Sequence, residues 1–215
     1  MDKRKAGIAF LLLGAVLILS ALLLFLFNRK EDSEAGRQAG LALQEVQEVL
    51  MDDSGDVADW NSTEATSSPT ETTEGSAEMT VVTIDGRDYI GYLSIPELEL
   101  ELPVISQWSY ELLQIAPCRD VGSTKTDDLV IAAHNYQTHF GRLKELSEGD
   151  SVVFTDMDGV VIEYELTKVE TIDPHKVDYV HNSDHDLVLY TCTIGGEYRV
   201  VAFCDRVEEE PKGET

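Results

Sequence analysis

The stretch "LVLYTCTIGGEYRVVAF", Leu187 to Phe203, contains two runs of strand-forming residues separated by a polar segment with a Gly-Gly pair. This pattern predicts a β-hairpin. A two-residue Gly-Gly loop and a four-residue loop that begins at Ile194 both place Cys192 directly opposite Arg199, whereas a three-residue loop would break that pairing. Opposed residues share one face of the sheet, with Cβ atoms about 4.5–5.5 Å apart. The hairpin therefore predicts a cation beside one particular thiol.

A guanidinium group beside a thiol suits nucleophilic chemistry. It favours the thiolate and offers fixed donors to the oxyanion that forms when the sulfur attacks a carbonyl. The leaving group then needs a proton donor, which is usually a histidine. His134 ends the apolar run "LVIAAH" and is the best placed of the five histidines. The other four lie in polar loop sequence, where we expect exposed side chains. They are His139, His175, His181 and His185.

Each member of this candidate set also has a purely structural interpretation. Cys192 would be a small buried apolar residue, Arg199 an arginine at a sheet edge, and His134 a strand-end histidine with satisfied hydrogen bonds. Spacing alone leaves these interpretations open. Cys204 has the opposite parity to Arg199 along its strand, so it should face the other side of the sheet.

The three cysteines do not form a recognisable framework. They are Cys118, Cys192 and Cys204. An odd number cannot pair fully within the chain, so at least one thiol stays free or bonds elsewhere. Their spacing matches no metal-binding motif, and their density is too low for a disulfide scaffold.

The segment from about Thr80 to Val207 consists mostly of short strand patterns. Hairpins are predicted around Asp85-Gly86 and Asp158-Gly159. A short helix is predicted from Trp108 to Ala116, and a helical turn in "FGRLKELSEGD". About eight strands divided by tight turns predict a closed barrel or a sandwich.

A separate apolar segment lies near the N-terminus. Gly7 to Phe27 is a run of 21 uncharged residues, equivalent to about 31 Å of helix, enough to span a bilayer. The run is longer than the apolar core of a cleaved signal peptide, and no small-residue cleavage pattern follows it. Three basic residues precede it and two follow it. We therefore expect an uncleaved anchor with residues 1–6 in the cytoplasm and the rest of the chain exported.

Residues 28–79 are predicted to form an acidic stalk between this anchor and a folded domain at 80–207, which an acidic tail, 208–215, follows. Within the stalk, 52–78 has too few apolar residues to fold, and 41–52 is predicted as a short helix that is either transient or docked on the domain.

Residues 31–80 contain one basic and thirteen acidic residues, and the whole chain has a net charge of −25. No basic patch is available for phosphates, so nucleic acid is excluded as a partner.

Several of these stretches match the motifs of a known family. "YIGYLSIPELELELPVI" resembles the opening strands of the sortases, which are membrane-anchored cysteine transpeptidases, and "DDLVIAAHN" resembles the strand and loop of their histidine. "LVLYTC" is similar to the T-L-x-T-C signature at their nucleophile, and Arg199 falls where their arginine follows on the next strand. The resemblance covers nearly all of residues 80–207, and the anchor also fits it.

The chain departs from the family pattern at two positions. Val188 stands at the first Thr of T-L-x-T-C, and Ala133 stands where glycine is common before the histidine. Neither change removes a reacting group, so both bear on substrate fit. The short interval between His134 and Cys192 leaves little room for the long helical insertion of class B sortases.

The resemblance implies a mainly β fold: a closed sortase-like β-barrel of about eight strands with one or two short helices, preceded by a transmembrane helix and a disordered stalk. It places the catalytic domain outside the cell membrane. It implies that Cys192 attacks a Thr–Gly-type bond in a sorting motif similar to L-P-x-T-G, while Arg199 binds the substrate and its oxyanion. His134 then protonates the departing amine, and Thr191 is expected to help position the substrate.

The partners that the resemblance implies are surface proteins that bear sorting signals, together with an amine acceptor. A thioacyl-enzyme would be resolved by a cell-wall peptide cross-bridge or by a pilin lysine. No cofactor is expected. Calcium stays open, because some sortases use it, but the abundant acidic residues do not define a site for it.

Two other functions remain for such a chain. In a surface cysteine hydrolase, water would resolve the acyl-enzyme. In an inactive anchored scaffold, the domain would only bind partners, and the intact Cys/His/Arg set argues against this because a scaffold needs none of the three.

Overall fold

A computed structural model of the chain describes residues 3–53 and 78–208. Most of the predicted disordered segment 52–78 and of the acidic tail therefore lies outside the described residues. The helices are α1 (Lys3–Asp53), α2 (Tyr110–Leu113) and α3 (Val177–His181), with single 3₁₀ turns at Pro96–Leu98 and Leu143–Glu145. The strands are β1 (Val82–Ile84), β2 (Arg87–Ile95), β3 (Leu100–Ile105), β4 (Cys118–Val121), β5 (Leu129–Ala132), β6 (Ser151–Asp156), β7 (Val161–Ile172), β8 (Leu187–Cys192) and β9 (Arg199–Arg206).

The strands form one sheet that closes on itself. Their order is β1-β2-β3-β4-β5-β8-β9-β7-β6, and a further pairing of β2 with β6 completes the ring. Eight strands, β2 to β9, make up the barrel, and β1 adds to β2 outside the ring. The predicted closed barrel of about eight strands is confirmed.

Gly91 is the residue that permits closure. It pairs with Val104 of β3 on one side and with Asp156 of β6 on the other, at a register shift in β2. Its φ is 144°, and a Cβ at this position would lie 2.1 Å from the carbonyl oxygen of Thr155. Because L side chains neither adopt that conformation readily nor fit that space, only glycine lets the two sheet edges meet here.

The predicted local elements are present with small differences in length. The turns at Asp85-Gly86 and at Gly159 link β1 to β2 and β6 to β7, as expected for two hairpins. The predicted helix from Trp108 is shorter, and its first turn is capped by Ser109 Oγ, which accepts from the Leu112 amide at 3.1 Å. The α3 helix had no counterpart among the predicted elements.

Strand alternation divides the apolar residues into an interior core and two outer clusters. The interior contains Leu187 and Leu189 of β8 together with Ala202 and Cys204 of β9. The first outer cluster packs beneath α1 and includes Ala42, Val46, Ile105, Cys118 and Ala132. The second lies around α3 and includes Val130, Ile172, Val180, Val188, Val201 and Phe203. The outer face of β5, β8 and β9 is therefore covered by α1 on one side and by α3 on the other.

The N-terminal helix is longer than the sequence patterns predicted. Residues 28–40, assigned to the stalk, are helical and join the apolar run to the short helix predicted at 41–52. The reason is a stripe of small apolar residues, Ala35, Ala39, Ala42 and Val46, which recurs at helical spacing and is buried against the barrel. An ion pair between Glu34 and Arg37 adds support within the helix.

The part of α1 from Phe10 to Phe27 differs, because it lacks such a buried stripe. The large apolar side chains from Phe10 to Phe27 are all exposed. By length and composition this part of the helix could cross a membrane.

Candidate active site

Three neighbouring strands bring the predicted residues to one edge of the barrel. Cys192 is the last residue of β8 and pairs with Arg199, the first residue of β9, in the register predicted from the hairpin. On the other side, β5 runs parallel to β8 with Ala132 level with Tyr190. His134 follows Ala132 by two residues, so strand alternation places it level with Cys192 and on the same outer face. The cysteine is therefore flanked by the histidine on one side and the arginine on the other.

Of the three thiols, only Cys192 is partly exposed. Cys118 lies beneath α1 and Cys204 lies in the barrel interior. Burial raises the pKa of both of these thiols to about 12, so they stay protonated at neutral pH. The position of Cys204, opposite in parity to Arg199, is as predicted.

We expect a mild thiol-directed electrophile to label the native protein at Cys192 alone. The thiolate is the reactive species, and neither buried thiol ionises near neutral pH. Iodoacetamide treatment at pH 7.5, followed by peptide mass spectrometry, should show the adduct only on the Cys192 peptide. Denatured protein, in which all three thiols are accessible, serves as the control. A comparable adduct on Cys118 or Cys204 in the native protein would contradict the expectation.

Asn135 holds the His134 ring through one nitrogen. Its backbone N–H donates to His134 Nδ1 at 3.0 Å when that nitrogen carries no proton. Its side-chain Oδ1 lies 3.0 Å from the same nitrogen and accepts from the tautomer that is protonated there. The residue next in the chain therefore orients the imidazole.

Arg199 is anchored through one corner of its guanidinium group. Its Nη1 donates to the carbonyl oxygens of Gly196 and Tyr198, both at 3.2 Å. The loop that supplies these carbonyls is closed by a bond from the Gly196 amide to Thr193 O at 2.8 Å, with the glycines at positive φ. Among the described residues, Nε and Nη2 have no partner. The two bonds orient the planar guanidinium group and leave Nε and Nη2 available to a ligand.

Thr191 lies on the other face of β8 from the cysteine. Its side chain is buried, and Oγ1 donates to the carbonyl oxygen of Ala133 at 2.9 Å. Strand alternation turns Thr191 to the barrel interior, whereas Cys192 faces outward. Thr191 therefore ties the end of β8 to the end of β5, and its side chain does not reach the outer face where a substrate would lie.

The prediction for His139 was wrong. It was expected to be exposed, but it is fully buried beneath α1, and burial lowers its pKa to about 4. The polar sequence around it did not reveal that a distant helix covers this loop. His175 is exposed as expected, whereas His181 and His185 are partly buried in hydrogen bonds to Asp120 and Asp205. Residues 3–53 and 78–208 contain no group of three or more His, Cys, Asp or Glu side chains that could bind a metal ion.

Sequence reasoning missed a hydrogen-bonded trio next to this edge. Asp120 Oδ2 accepts from the Tyr190 hydroxyl at 2.7 Å and lies 2.7 Å from His181 Nε2. Burial and the bond to Asp120 raise the pKa of Tyr190, which keeps its hydroxyl protonated as a donor. The position of Tyr190, two residues before Cys192, was the signal that it shares the outer face with the cysteine.

Two members of the trio, Tyr190 and His181, line a small cavity beside the arginine. The cavity has a volume of about 120 Å³, and Arg199 lines it as well. The rest of its lining combines four apolar residues with two charged ones: Ile172, Pro174, Val177, Val180, Asp173 and Lys176. A larger open groove of about 720 Å³ also reaches Asp120, but none of His134, Cys192 and Arg199 lines it. The small cavity adjoins the candidate site through Arg199.

Comparison with known proteins identifies the family of the chain. The family model described as the Sortase domain matches residues 93–207, which is more than half of the chain. Sortase A from Bacillus anthracis is 30% identical over 122 residues, a match that covers 54% of this chain and 58% of that relative. The match therefore spans less than two thirds of the length of the relative.

Solved structures of this family have the same fold. Sortase A from Corynebacterium diphtheriae superposes with a TM-score of 0.52 at 22% identity, over 59% of this chain and 64% of that one. A lid mutant of the same protein gives 0.51 at 24% identity, over 58% and 73%. The chain belongs to the sortase family.

Proposed function

We propose that this protein is a membrane-anchored cysteine transpeptidase with Cys192 as nucleophile, His134 as proton donor and Arg199 as the group that binds the substrate and its oxyanion. The observation that supports this assignment most directly is the convergence of β5, β8 and β9. Their ends place a partly exposed thiol between an imidazole and a guanidinium on one face. None of the structural interpretations of these residues requires all three at one edge.

The proposed reaction has two halves. In the first, the Cys192 sulfur attacks the carbonyl carbon of a Thr–Gly-type bond, a C–S bond forms, and the C–N bond breaks as the amine takes a proton from His134. In the second, an acceptor amine attacks the thioester carbonyl and its lost proton returns to His134. The C–S bond breaks, and the product is a new peptide or isopeptide bond.

Arg199 fits the oxyanion role because of how its loop holds it. The two carbonyl bonds to Nη1 fix the plane of the guanidinium group before substrate arrives. A donor that is already oriented does not have to reorganise as negative charge develops in the transition state. The two remaining nitrogens can bind a substrate carbonyl and the developing oxyanion.

The cavity beside Arg199 suits an apolar part of the sorting motif. Four of its lining residues, Ile172, Pro174, Val177 and Val180, are apolar and can contact a leucine or proline side chain, while Asp173 and Lys176 carry opposite charges in the same lining. We therefore propose that residues upstream of the scissile bond of an L-P-x-T-G-like motif bind here. The Asp120 trio supports this lining through the bond from His181 at the end of α3.

The proposed topology follows from α1. Its exposed apolar half would cross the membrane once, with the N-terminus in the cytoplasm and the barrel outside the cell. Substrates would then be surface proteins bearing a sorting signal, and the acceptor would be an amine of a cell-wall precursor or a pilin lysine.

A peptide library tests the proposed function. Full-length protein in detergent is incubated with L-P-x-T-G-type peptides in the presence of a glycine-terminated peptide amine or of a lysine side-chain amine. We expect ligated product with at least one peptide, and the hydrolysed by-product should fall as the amine concentration rises. Hydrolysis that is unaffected by any amine would favour the surface hydrolase. No turnover with any peptide, while Cys192 still reacts with iodoacetamide, would favour the inactive scaffold.

A further inference from the structure

The loop that follows His134 is bonded to a residue 106 positions earlier in the chain. Asp32 of α1 accepts from the Thr138 amide through Oδ1 at 3.1 Å. The Thr138 hydroxyl lies 2.9 Å from the same Oδ1 and 3.0 Å from the Asp32 carbonyl oxygen. One carboxylate at the start of the docked half of α1 thus binds both the backbone and the side chain of this loop.

The helix and the loop also approach as closely as their atoms allow. A Cβ added to Gly36 would lie 2.7 Å from Thr138 Cγ2 and 2.9 Å from Thr138 Cβ. Threonine is β-branched and short, so it cannot move aside without moving its backbone. Glycine is unfavourable inside a helix, and this close contact is a physical reason for its presence at position 36. Gly40, one turn further on, has no atom within 4 Å of a corresponding Cβ.

Tyr136 connects this contact to the proposed proton donor. Its ring stacks on His134 with centroids 4.1 Å apart and planes within 7° of parallel. On its other side it meets the edge of the buried His139 ring at 5.5 Å. The loop is closed by bonds from the His139 and Gly141 amides to Tyr136 O and from the Phe140 amide to His134 O. Any displacement of Thr138 would therefore reach Tyr136 and the imidazole stacked on it.

We infer that the docked half of α1 is a positioning element of the active site: Asp32 and Gly36 fix the 134–141 loop at Thr138, and Tyr136 holds the His134 ring in place by stacking. This inference rests on the proposed role of His134 as proton donor. Tyr136, Thr138 and Asp32 are positioning residues, because they act on the reaction only through His134. The anchor helix thereby contributes to catalysis as well as to attachment.

The test uses two substrates that differ in their need for a proton. One is an L-P-x-T-G-type peptide, whose amine leaving group must be protonated. The other is the matched peptide with a thioester at the scissile position, whose thiolate leaves without help. Full-length variants in detergent are compared on both by the rate of acylation, measured as leaving-group release in a single turnover, because the second half-reaction uses His134 with either substrate. A variant that displaces His134 should slow the amide and spare the thioester, whereas a variant that unfolds the barrel should slow both.

Substitutions of the two helix glycines form a matched pair. Gly36→Ala and the larger Gly36→Leu should reduce amide turnover by about 10- to 100-fold, the scale of a misplaced catalytic group. Gly40→Ala and Gly40→Leu bring the same gain in helix propensity without the contact, so both activities should stay at wild-type levels. Adding Thr138→Ser to Gly36→Ala removes the nearest contact, to Cγ2, and keeps both bonds to Asp32, but the 2.9 Å contact to Cβ stays, so the double variant should recover part of the lost amide turnover.

A second pair tests the stack itself. Tyr136→Phe keeps the aromatic ring and should retain wild-type activity on both substrates, whereas Tyr136→Ala should slow only the amide. His134→Ala provides the reference. If it slows amide and thioester equally, the proposed role of His134 is wrong. If it slows only the amide while the Gly36 and Tyr136 variants match wild type, or slow both substrates equally, the positioning role of α1 is wrong and the proposed function stands.

Discussion

Replacement of Cys192 by alanine is expected to abolish both acyl-enzyme formation and product. In the proposed reaction its sulfur forms the bond that carries the acyl group, and burial keeps both other thiols protonated at neutral pH. Because Cys192 is partly exposed at the end of β8, its loss should leave the barrel intact. Intact-mass spectrometry after mixing with a reactive sorting peptide should show an adduct on wild type and none on Cys192→Ala, and both proteins should melt at similar temperatures.

The other two cysteines supply the controls for this experiment. Cys118→Ala and Cys204→Ala remove the same atom type from buried positions, so each should cost about 1 kcal/mol of stability. Turnover per folded molecule should stay within a small factor of wild type. Residual ligation by Cys192→Ala, or loss of ligation in either control without loss of fold, would show that another thiol is the nucleophile.

Arg199→Lys should separate reactivity of the thiol from turnover. Lysine keeps the positive charge beside Cys192 but loses the planar fork of donors. We therefore expect iodoacetamide labelling of Cys192 to survive, while kcat/KM for the peptide falls by about 10²–10³, the usual scale for one oxyanion donor. Parallel measurement of the labelling rate and of kcat/KM on the same preparation gives both quantities.

Arg206→Lys is the matched control on the same strand. Arg206 lies at the far end of β9, where it bonds to the Thr124 carbonyl oxygen and pairs with Asp127. Its substitution should lower the melting temperature and leave kcat/KM of the folded protein unchanged. If Arg199→Lys is as active as wild type, the arginine is an edge residue and the proposed oxyanion role is wrong.

Short-range patterns predicted the part of the site that depends on one hairpin. Cys192 and Arg199 are seven residues apart, and strand alternation together with the turn signal fixes their register. The turn is the four-residue alternative, since the Thr193 amide bonds to Tyr198 O at 3.0 Å, and it keeps the predicted pairing. The position of His134 at a strand end was enough to bring it to the same edge, because β5 and β8 are parallel neighbours.

Features that depend on distant contacts escaped prediction. His139 lies in polar sequence, and only the α1 helix that covers it makes it buried. Asp120 and Tyr190 are 70 positions apart, and no local pattern relates them. Thr191 was predicted to help position the substrate, and alternation along the strand places its side chain on the opposite face from Cys192.

The continuity of α1 has a consequence for where the enzyme can work. Asp32, which binds the His134 loop, lies five residues after Phe27, the end of the uncharged run, or about 8 Å along a helix axis. If that run spans the bilayer as proposed, the catalytic edge stands at the height of the lipid headgroups and cannot swing away on a flexible tether. The catalytic edge and a substrate still embedded in the same membrane would then lie at the same height above the bilayer. The two proteins would meet by lateral diffusion in two dimensions. Proteins already released from the membrane would have to approach an edge that the bilayer itself partly screens.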